Sequence, residues 1–498
     1  MMMTLVVASL VERGIAGVAR SSKEAFAAGA DVVEVRLDHI RGLERRAGLL
    51  EAARSAVDGP AIATLRSARE GGLSRCTGAS RARLLAMVFD SEFEYVDLEL
   101  VADRKLLESR SGISSGPKVI GSYHFRRPAT RSEIRGQLER ACETADIGKV
   151  AAPCNHTSHA VAIADIGLEF SKKKRRFAVM GMGTQGQLTR ACAAGIGSEL
   201  VYASLPGNPA APGQLDVALQ SDLLRRGAVV LGLVGHPVTH SVSKPMQEAA
   251  LRSVGLKGVY MPLDVPLGGM SRRAVTTLFK IGFSGLNVTI PHKKKAFDIC
   301  DTHRPSAASI GAVNTLRWTK GKIVGENTDV FGLIKLIDAK KVFTKGVDSL
   351  VIGAGGAARA ACRVLLDGGS VVTVAARRDG RARALARSCG VNAESFSSTS
   401  AGTSSYGIVV NATPVGTRGT RSEEVNIPEG VLEGRPVFID LVYNPPVTRS
   451  MKLARDRGCI AHGGLEMLVG QGAESFRIWT GCTPDPSVMR AAARRALR

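Results

Sequence analysis

Eight short apolar segments, each rich in β-branched residues, recur along the first 222 residues of the chain. Helix-like stretches rich in Ala, Arg, Leu and Glu separate them. Strand–helix alternation predicts a parallel sheet, and eight such units in this length are typical of a closed (β/α)8 barrel. An open doubly wound sheet is the alternative, but no Gly-rich phosphate turn follows the first segment. The predicted strands are residues 4–10, 32–38, 61–66, 95–100, 118–124, 148–153, 177–183 and 200–205.

The pattern restarts near Val229, directly after a predicted last barrel helix over residues 214–227. A chain of 498 residues is too long for one hydrophobic core, so more than one domain is expected. We predict an N-terminal barrel over residues 1–226 and a second α/β unit over residues 227–498. A Ser/Thr-rich segment at 395–405 is predicted to be a surface loop.

The strongest local motif of the second unit is "SLVIGAGGAARAACRVLL", residues 349–366. A predicted strand runs into a glycine-rich turn and then into a helix. Such a turn presents backbone N–H groups and a helix N-terminus to a pyrophosphate. We therefore predict a dinucleotide-binding Rossmann lobe that contains this turn.

The end of the next predicted strand, in "SVVTVAARRDGRA", indicates which dinucleotide is bound. An NAD site has Asp or Glu there to hold the ribose hydroxyls, whereas arginines favour the 2′-phosphate of NADP. This chain has Arg377, Arg378 and then Arg381. The alternative is a solvated arginine cluster, and the position after the strand favours NADP as the cofactor.

Charge and composition exclude several other classes of protein. The net charge is +22, but the lysines and arginines are spread along the chain and aromatic residues make up only 4%, which argues against a nucleic-acid binder. A positive field instead attracts anionic metabolites. Nine cysteines without CxxC spacing indicate neither a disulfide framework nor a metal site, as expected for a reducing cytosol. No apolar run is long enough to span a membrane, and the N-terminal segment reads as a first strand rather than a signal peptide.

Polar residues near the C-terminal ends of the predicted barrel strands are candidate site residues, because that end of a barrel carries the active site. They are Glu34, Arg36, Arg66, Glu70 and His124. Lys149 lies inside the sixth predicted strand. A buried lysine must be paired or neutral, because desolvation penalises the ammonium. A lysine in such a setting is what Schiff-base chemistry needs.

The segments "EVRLD", "TLRSAREGG", "GSYHF", "DIGK", "GMGTQGQLTR" and "AAPGQ" resemble the ordered motifs of type I 3-dehydroquinate dehydratases over nearly the whole first half. The resemblance implies that Lys149 forms an imine with the C3 ketone of 3-dehydroquinate and that His124, oriented by Glu70, acts as general acid and base. The family usually has Ser where this chain has Ala210, so we expect weaker substrate binding. The residues that the resemblance assigns to the substrate are Glu34, Arg36, Arg66, Arg190 and Gln214.

The segments "THSVS", "NVTIPHK", "GAVNT", "GENTD", "NATPVG", "DLVYNPPVT" and "GGLEMLVGQ" are similar to those of shikimate dehydrogenases. This resemblance implies a substrate lobe over about residues 227–332 and 470–498 and an NADP-binding Rossmann lobe over about residues 333–469. It also implies a catalytic Lys293–Asp329 pair, with Lys294 and Lys295 exposed on the following helix. One departure is Lys244, inserted in "HSVSKP" before the proline. The residues implied to hold the substrate are Ser241, Ser243, Thr289, Asn314, Tyr443 and Gln471. Those implied to hold NADP are Gly353, Ala354, Gly355, Gly356, Ala357, Arg377, Arg378, Arg381, Thr413, Leu441 and Gly464.

Together the two resemblances predict a cytoplasmic bifunctional enzyme that dehydrates 3-dehydroquinate and reduces the product to shikimate with NADPH. Its expected partners are these small molecules, with no nucleic acid and no membrane. Two alternatives remain: a catabolic quinate/shikimate dehydrogenase fusion that uses NAD, and a non-enzymatic metabolite-sensing regulator built from these domains. The oligomeric state is left open.

Overall fold

The computed structural model describes residues 3–43, 48–110, 116–225, 227–238, 241–397, 405–418, 424–425 and 427–497. The predicted loop at 395–405 therefore lies largely outside the described residues. The chain divides into two compact units. The first is Met1–Val230 with Lys257–Phe283, and the second is Leu231–Leu256 with Ser284–Arg498.

The first unit contains a parallel sheet of eight strands in the order β7-β6-β5-β4-β3-β2-β1-β8. The sheet curls until its ends meet, and the Glu199 N–H donates to the Phe177 carbonyl at 2.7 Å where β7 and β8 begin. The predicted (β/α)8 barrel is confirmed. The strands are β1 Leu5–Leu10, β2 Val32–Arg36, β3 Ala61–Thr64, β4 Tyr95–Glu99, β5 Lys118–His124, β6 Ile147–Pro153, β7 Phe177–Met182 and β8 Leu200–Ala203.

Helices surround the barrel and cover its outer apolar face, which includes Val33, Val35, Val96 and Leu98. Helix α5 begins with a capping box in which Thr130 and Glu133 satisfy each other's backbone N–H groups. The helices are α1 Ile15–Ala27, α2 Gly48–Ser55, α3 Gly78–Phe89, α4 Arg104–Arg110, α5 Arg131–Thr144, α6 Thr157–Lys172, α7 Gln187–Ala191, α8 Ala193–Ile196 and α9 Val217–Leu224.

The barrel interior is layered. An apolar layer that includes Val7, Val32, Ile62 and Ile147 fills the end where the strands begin. Polar residues follow towards the strand ends, and Ser122 pairs in register with Lys149 across β5 and β6. The polar layer thus lies at the C-terminal end of the strands, where barrels carry their active sites.

The first unit also includes β10 Gly258–Asp264 and α11 Arg272–Lys280. Helix α11 packs on α6, where the Asp165 carboxylate accepts hydrogen bonds from the Arg273 Nε at 2.9 Å and the Thr277 hydroxyl at 2.5 Å. Gly195 of α8 lies so close to the residue that follows α11 that an added Cβ would be 1.9 Å from the Ile281 carbonyl oxygen. These contacts attach the segment to the barrel helices.

The second unit contains most of the strands of two further sheets, whereas β10 and the start of β9 are counted with the first unit. One has the order β10-β9-β11-β13-β14-β12, and the other β17-β16-β15-β18-β19-β20. The strands not yet given are β9 Val229–Gly235, β11 Phe283–Val288, β12 Thr302–His303, β13 Thr315–Thr319, β14 Lys322–Glu326, β15 Asp348–Ile352, β16 Val371–Ala376, β17 Asn392–Ser395, β18 Ile408–Asn411, β19 Val437–Asp440 and β20 Ala461–Gly463. Its helices are α10 Ser243–Ser253, α12 Lys293–Ile299, α13 Pro305–Ala308, α14 Asp329–Ala339, α15 Gly356–Asp367, α16 Asp379–Cys389, α17 Arg449–Asp456, α18 Leu465–Thr480 and α19 Pro486–Ala496.

The sheet from β15 to β20 is parallel and carries apolar cores on both faces, as in a doubly wound Rossmann lobe. Strand order changes direction between β15 and β18, the point at which such sheets bind ligands. The predicted Rossmann lobe is confirmed. Among the described residues, no helix combines the length and apolar character needed to cross a bilayer.

Candidate active sites

Lys149 is buried inside the barrel, as its position within a strand predicts, with 3% of the residue exposed. Its ammonium group lies 3.0 Å from Asp97 Oδ2 and 3.7 Å from Glu34 Oε1. The Tyr202 ring covers it from another side, with the Nζ 3.8 Å from the ring centroid. A buried lysine must be either paired or neutral, and the structure shows Lys149 paired with carboxylates.

Arg66 connects the carboxylates of this layer. It contacts Asp97 at 2.8 Å, Glu70 at 3.2 Å and Glu99 at 3.3 Å, and it also donates to the Ser122 hydroxyl at 2.9 Å. Burial alone would raise the pKa of Asp97, but the adjacent positive charges of Arg66 and Lys149 hold it well below its usual value. Asp97 therefore stays ionised and keeps a fixed negative charge beside the lysine.

His124 and Glu70 form a second pair at the mouth of the barrel. The His124 Nδ1 lies 2.9 Å from Glu70 Oε2, and the backbone N–H of His124 donates to the same oxygen at 3.0 Å. Burial, with the charges of Arg66 and Lys149, lowers the pKa of His124 well below its ordinary value. Burial also raises the pKa of Glu70 to about 8 against the charge of Arg66. The imidazole is therefore neutral at pH 7 and available to accept a proton.

Lys149 and His124 line one cavity of about 130 Å³. The sequence-predicted residues that line it with them are Glu34, Arg36, Arg66, Glu70, Arg190 and Gln214, and Ala210 does so as well. Gln214 holds the loop over the mouth, because its Oε1 accepts from the Ala210 N–H at 2.8 Å and its Nε2 donates to Ser9 at 3.2 Å. All predicted dehydratase residues thus meet at one place.

Arg190 is fully enclosed, with only 1% of the residue exposed. Its Nη1 donates to the Tyr202 carbonyl oxygen at 2.9 Å, while its Nε has no hydrogen-bond partner among the described residues. Burial lowers the pKa of the guanidinium to about 10. The group is therefore still charged at neutral pH, lines the cavity and has a buried donor without a partner.

Sequence reasoning missed three residues that contact the predicted site: Asp97, Glu99 and Tyr202. Strand β4 alternates apolar and acidic residues, a pattern that also fits a strand with a solvent-exposed face. The same inward alternation that singled out Glu34 and Arg36 could have identified Asp97 and Glu99. Three predicted strands end two residues early, at Arg36, Thr64 and Ala203, so Arg66 follows β3 instead of ending it.

The second predicted site is centred on Lys293, the first residue of α12. Its Nζ lies 2.5 Å from Asp329 Oδ2, with 20% of the lysine side chain exposed. The Asn314 amide donates to the other Asp329 oxygen at 2.9 Å, which fixes the carboxylate. Lys294 and Lys295 are exposed on the helix, as predicted, and Lys294 pairs with Asp298 at 2.7 Å.

The predicted substrate residues of this unit lie on the elements around the lysine. Gln471, on α18, accepts from the Asn314 amide at 3.4 Å. Tyr443 hydrogen-bonds to Ser241, and burial raises the pKa of its phenol despite this bond. Ser243 begins α10 and donates its N–H to Ser241 at 3.2 Å, so the inserted Lys244 still leaves a helix start at this position. Thr289 follows β11, four residues before Lys293.

The glycine-rich turn lies beside Lys293. A Cβ added to Gly356 would lie 3.6 Å from the lysine Cδ, and one added to Gly355 would meet nothing within 4 Å. Gly353 has a φ of +129°, a conformation that favours glycine, and α15 begins at Gly356. The turn, with Ala354 and Ala357, therefore offers open backbone at a helix N-terminus, which fits a pyrophosphate.

The other residues predicted to hold the cofactor follow the ends of the neighbouring parallel strands. Arg377, Arg378 and Arg381 are exposed after β16. Thr413 and Leu441 follow β18 and β19. Gly464 follows β20, and an added Cβ there would lie 2.3 Å from the Leu441 carbonyl oxygen, so only glycine fits. This arrangement fits a dinucleotide laid across the strand ends.

Comparison with known proteins agrees with the families predicted for the two halves of the chain. Residues 6–226 match the family model of type I 3-dehydroquinase. Residues 233–316 match the shikimate dehydrogenase substrate binding domain, residues 338–456 the shikimate/quinate 5-dehydrogenase, and residues 464–494 the shikimate 5′-dehydrogenase C-terminal domain. The chain is also 30% identical over 508 residues to the chloroplastic bifunctional 3-dehydroquinate dehydratase/shikimate dehydrogenase of Arabidopsis thaliana, covering 96% of this chain and 82% of that protein.

The chain belongs to the bifunctional 3-dehydroquinate dehydratase/shikimate dehydrogenase family.

Relatives of the second half alone agree on the cofactor. The shikimate dehydrogenase (NADP+) of Archaeoglobus fulgidus is 41% identical over 272 residues, which span 54% of this chain and 98% of that protein. A crystal structure of shikimate dehydrogenase in complex with NADP+ is 33% identical, with a TM-score of 0.51, covering 55% of this chain and 97% of that one. NADP is the cofactor of the reductase half, as the arginines after β16 predict, and the NAD-dependent and regulatory alternatives are not favoured.

Proposed function

We propose that Lys149 is the imine-forming residue of the dehydratase and that the Lys293–Asp329 pair moves the proton in the reductase. The observation that carries the first assignment is a buried amine enclosed by two carboxylates in a cavity that also holds His124. Isolated buried amines are costly, so a lysine kept in such a cavity is a candidate for chemistry.

In the dehydratase, the Lys149 Nζ attacks the C3 ketone of 3-dehydroquinate, and water leaves as the iminium forms. The ionised Asp97 and the neighbouring Glu34 stabilise the positive charge, which stays on the same nitrogen. Because Nδ1 of His124 is engaged by Glu70, Nε2 is the nitrogen that removes the C2 proton. The same imidazolium then protonates the departing C1 hydroxyl, and hydrolysis of the imine releases 3-dehydroshikimate.

In the reductase, bound NADPH supplies a hydride to the 3-ketone of 3-dehydroshikimate. Lys293 polarises that carbonyl and gives the new alkoxide its proton. Asp329, fixed by Asn314, holds the ammonium at the site. The predicted substrate residues around it supply hydrogen bonds to the carboxylate and hydroxyls.

Borohydride trapping tests the imine. With 3-dehydroquinate present, borohydride reduces an iminium to a stable amine, and mass spectrometry of peptides locates the adduct. We expect the label on Lys149 in the parent protein and none in Lys149→Ala. Lys118→Ala, at an exposed lysine that begins β5, serves as the control and keeps the label. A labelled Lys149→Ala protein would contradict the assignment.

We further propose that residues 1–226 form the dehydratase and residues 227–498 the reductase, with the lobes at 227–332 plus 470–498 and at 333–469. The proposed partners are the three pathway metabolites, with neither nucleic acid nor membrane. The described residues, which include all nine cysteines, form no disulfide, and this supports a reducing compartment such as the cytoplasm. Cell fractionation followed by the dehydratase assay tests the location, and activity confined to an organelle or membrane fraction would contradict it.

A further inference from the structure

Tyr202 combines three properties that an ordinary barrel-core residue does not need. It is on β8, 3% exposed, and its ring covers the Lys149 ammonium with the centroid 3.8 Å from Nζ. It lines the cavity that holds Lys149 and His124. Its hydroxyl is buried and has no hydrogen-bond partner among the described residues.

A buried hydroxyl without a partner is unfavourable, and most such groups in folded proteins find one. The ring needs no hydroxyl to fill the barrel or to contact the ammonium, because a phenyl ring packs and binds cations in the same way. In the ligand-free protein, the hydroxyl therefore contributes nothing to packing. A ligand oxygen in the cavity would supply the missing partner.

The position of the hydroxyl limits which molecule that is. It is attached to a ring that lies against the Lys149 Nζ, so it is within a few ångströms of the nitrogen that meets the substrate ketone. Arg190, whose Nη1 donates to the Tyr202 carbonyl oxygen at 2.9 Å, lines the same cavity and carries a second buried donor without a partner, its Nε. Two free donors beside a reactive amine fit a ligand rich in hydroxyl and carboxylate oxygens.

We propose that the Tyr202 hydroxyl donates a hydrogen bond to an oxygen of the dehydratase substrate and helps to determine its affinity. This role rests on the proposed function of Lys149, because it places the substrate ring against that amine. The proposed partner is a hydroxyl or carboxylate oxygen of the substrate and not the oxygen of the reacting ketone, so the hydrogen bond acts on binding in the ground state and the transition state alike. Uniform binding of this kind affects KM and leaves kcat unchanged.

Tyr202→Phe tests the proposal, because it removes the hydroxyl and keeps the ring over Lys149. We expect KM for 3-dehydroquinate to rise about tenfold, the effect of one lost hydrogen bond in a buried site, with kcat changed by less than about twofold. The melting temperature of the ligand-free protein should stay the same or rise, because the variant no longer buries an unpaired hydroxyl. Tyr406→Phe, which removes a hydroxyl that donates to Glu394 at 3.0 Å in the other unit, is the control and should leave the dehydratase KM unchanged.

An unchanged KM in Tyr202→Phe would overturn the proposal, and so would a fall in kcat without a change in KM. Borohydride trapping of the parent and the variant at saturating substrate separates this result from the fate of the imine. The borohydride label tests whether Lys149 forms the imine. The ratio of the KM values of the variant and the parent tests whether the Tyr202 hydroxyl binds the substrate. Equal labelling with a raised KM is the expected pattern.

Discussion

Glu70→Gln gives the sharpest test of the electrostatics inside the barrel. The side chain keeps its size and its ability to accept hydrogen bonds from His124 and Arg66, but it loses the ability to ionise. In the parent, burial raises the pKa of Glu70 from 4.5 to about 8. Glu70 is therefore protonated in the folded protein at neutral pH and ionised in the unfolded chain.

The raised pKa of Glu70 determines whether the protein gains or loses stability as the pH rises. The contribution of Glu70 to stability is fully present below about pH 4.5 and is lost as the pH rises through about 8. At 1.36 kcal/mol for each pKa unit, the whole loss is roughly 3 to 5 kcal/mol. Glu70→Gln lacks this loss, so its stability relative to the parent should increase between those pH values and stay level above them.

The assay must report on the barrel. Both tryptophans, Trp318 and Trp479, belong to the second unit, so their fluorescence does not follow barrel unfolding. Hydrogen exchange measured by mass spectrometry on peptides of β5 and β6 follows the relevant strands in the intact chain. The free energies of opening are compared between parent and variant from pH 5 to pH 9.

Glu108→Gln is the matched control, because Glu108 forms an exposed ion pair with Arg104 on the same unit. Surface ion pairs contribute little to stability, so the free energy of opening of this variant should change with pH in the same way as that of the parent. If Glu70→Gln also gives a curve parallel to the parent, Glu70 is ionised in the folded barrel and the reasoning about its burial is wrong.

Three further substitutions test other parts of the sites. Lys293→Ala should lower reductase kcat by about 10²- to 10⁴-fold, the usual value of a general acid, while NADPH affinity measured by fluorescence titration stays nearly constant; equal losses in both would make Lys293 a cofactor ligand. Arg377→Ala should weaken NADPH binding by about tenfold or more, since it removes a charged partner of the 2′-phosphate, and leave NADH binding unchanged; an equal loss for NADH would indicate a structural role. Ala210→Ser should lower the dehydratase KM by about three- to tenfold by adding one hydroxyl contact, and an unchanged KM would mean that this loop position does not reach the substrate.

The barrel was predictable because its strands are buried on both faces and stand out as short apolar runs between amphipathic helices. The predicted strand 118–124 matches β5 residue for residue. Strand β3 was predicted two residues too long because Leu65 continues the apolar run in sequence up to Arg66. In space Arg66 leaves the ladder, since its guanidinium turns inward to Asp97, Glu70 and Glu99.

The charged layer around Lys149 was less predictable. Asp97 and Glu99 alternate with Val96 and Leu98, and the acidic face of such a strand usually contacts water. Only closure of the sheet turns that face into a barrel interior. The pairing of Lys149 with Asp97 is thus a property of the tertiary fold.

The reductase site shows the same division between local and tertiary information. The glycine turn and the arginines after β16 follow from local sequence. The approach of Lys293 to within 3.6 Å of a Cβ position on Gly356 depends on how α12 and α15 pack. Residue types alone could not specify that distance.

The central claim is that one chain performs two successive reactions at two separate lysines. A coupled assay tests it directly: the purified protein is given 3-dehydroquinate and NADPH, with no other enzyme, and the loss of NADPH absorbance is followed. The parent should consume NADPH, Lys149→Ala should consume it only when 3-dehydroshikimate is supplied, and Lys293→Ala should consume almost none with either substrate. A parent that leaves NADPH unchanged, or a Lys149→Ala protein that still turns over 3-dehydroquinate, would contradict the account.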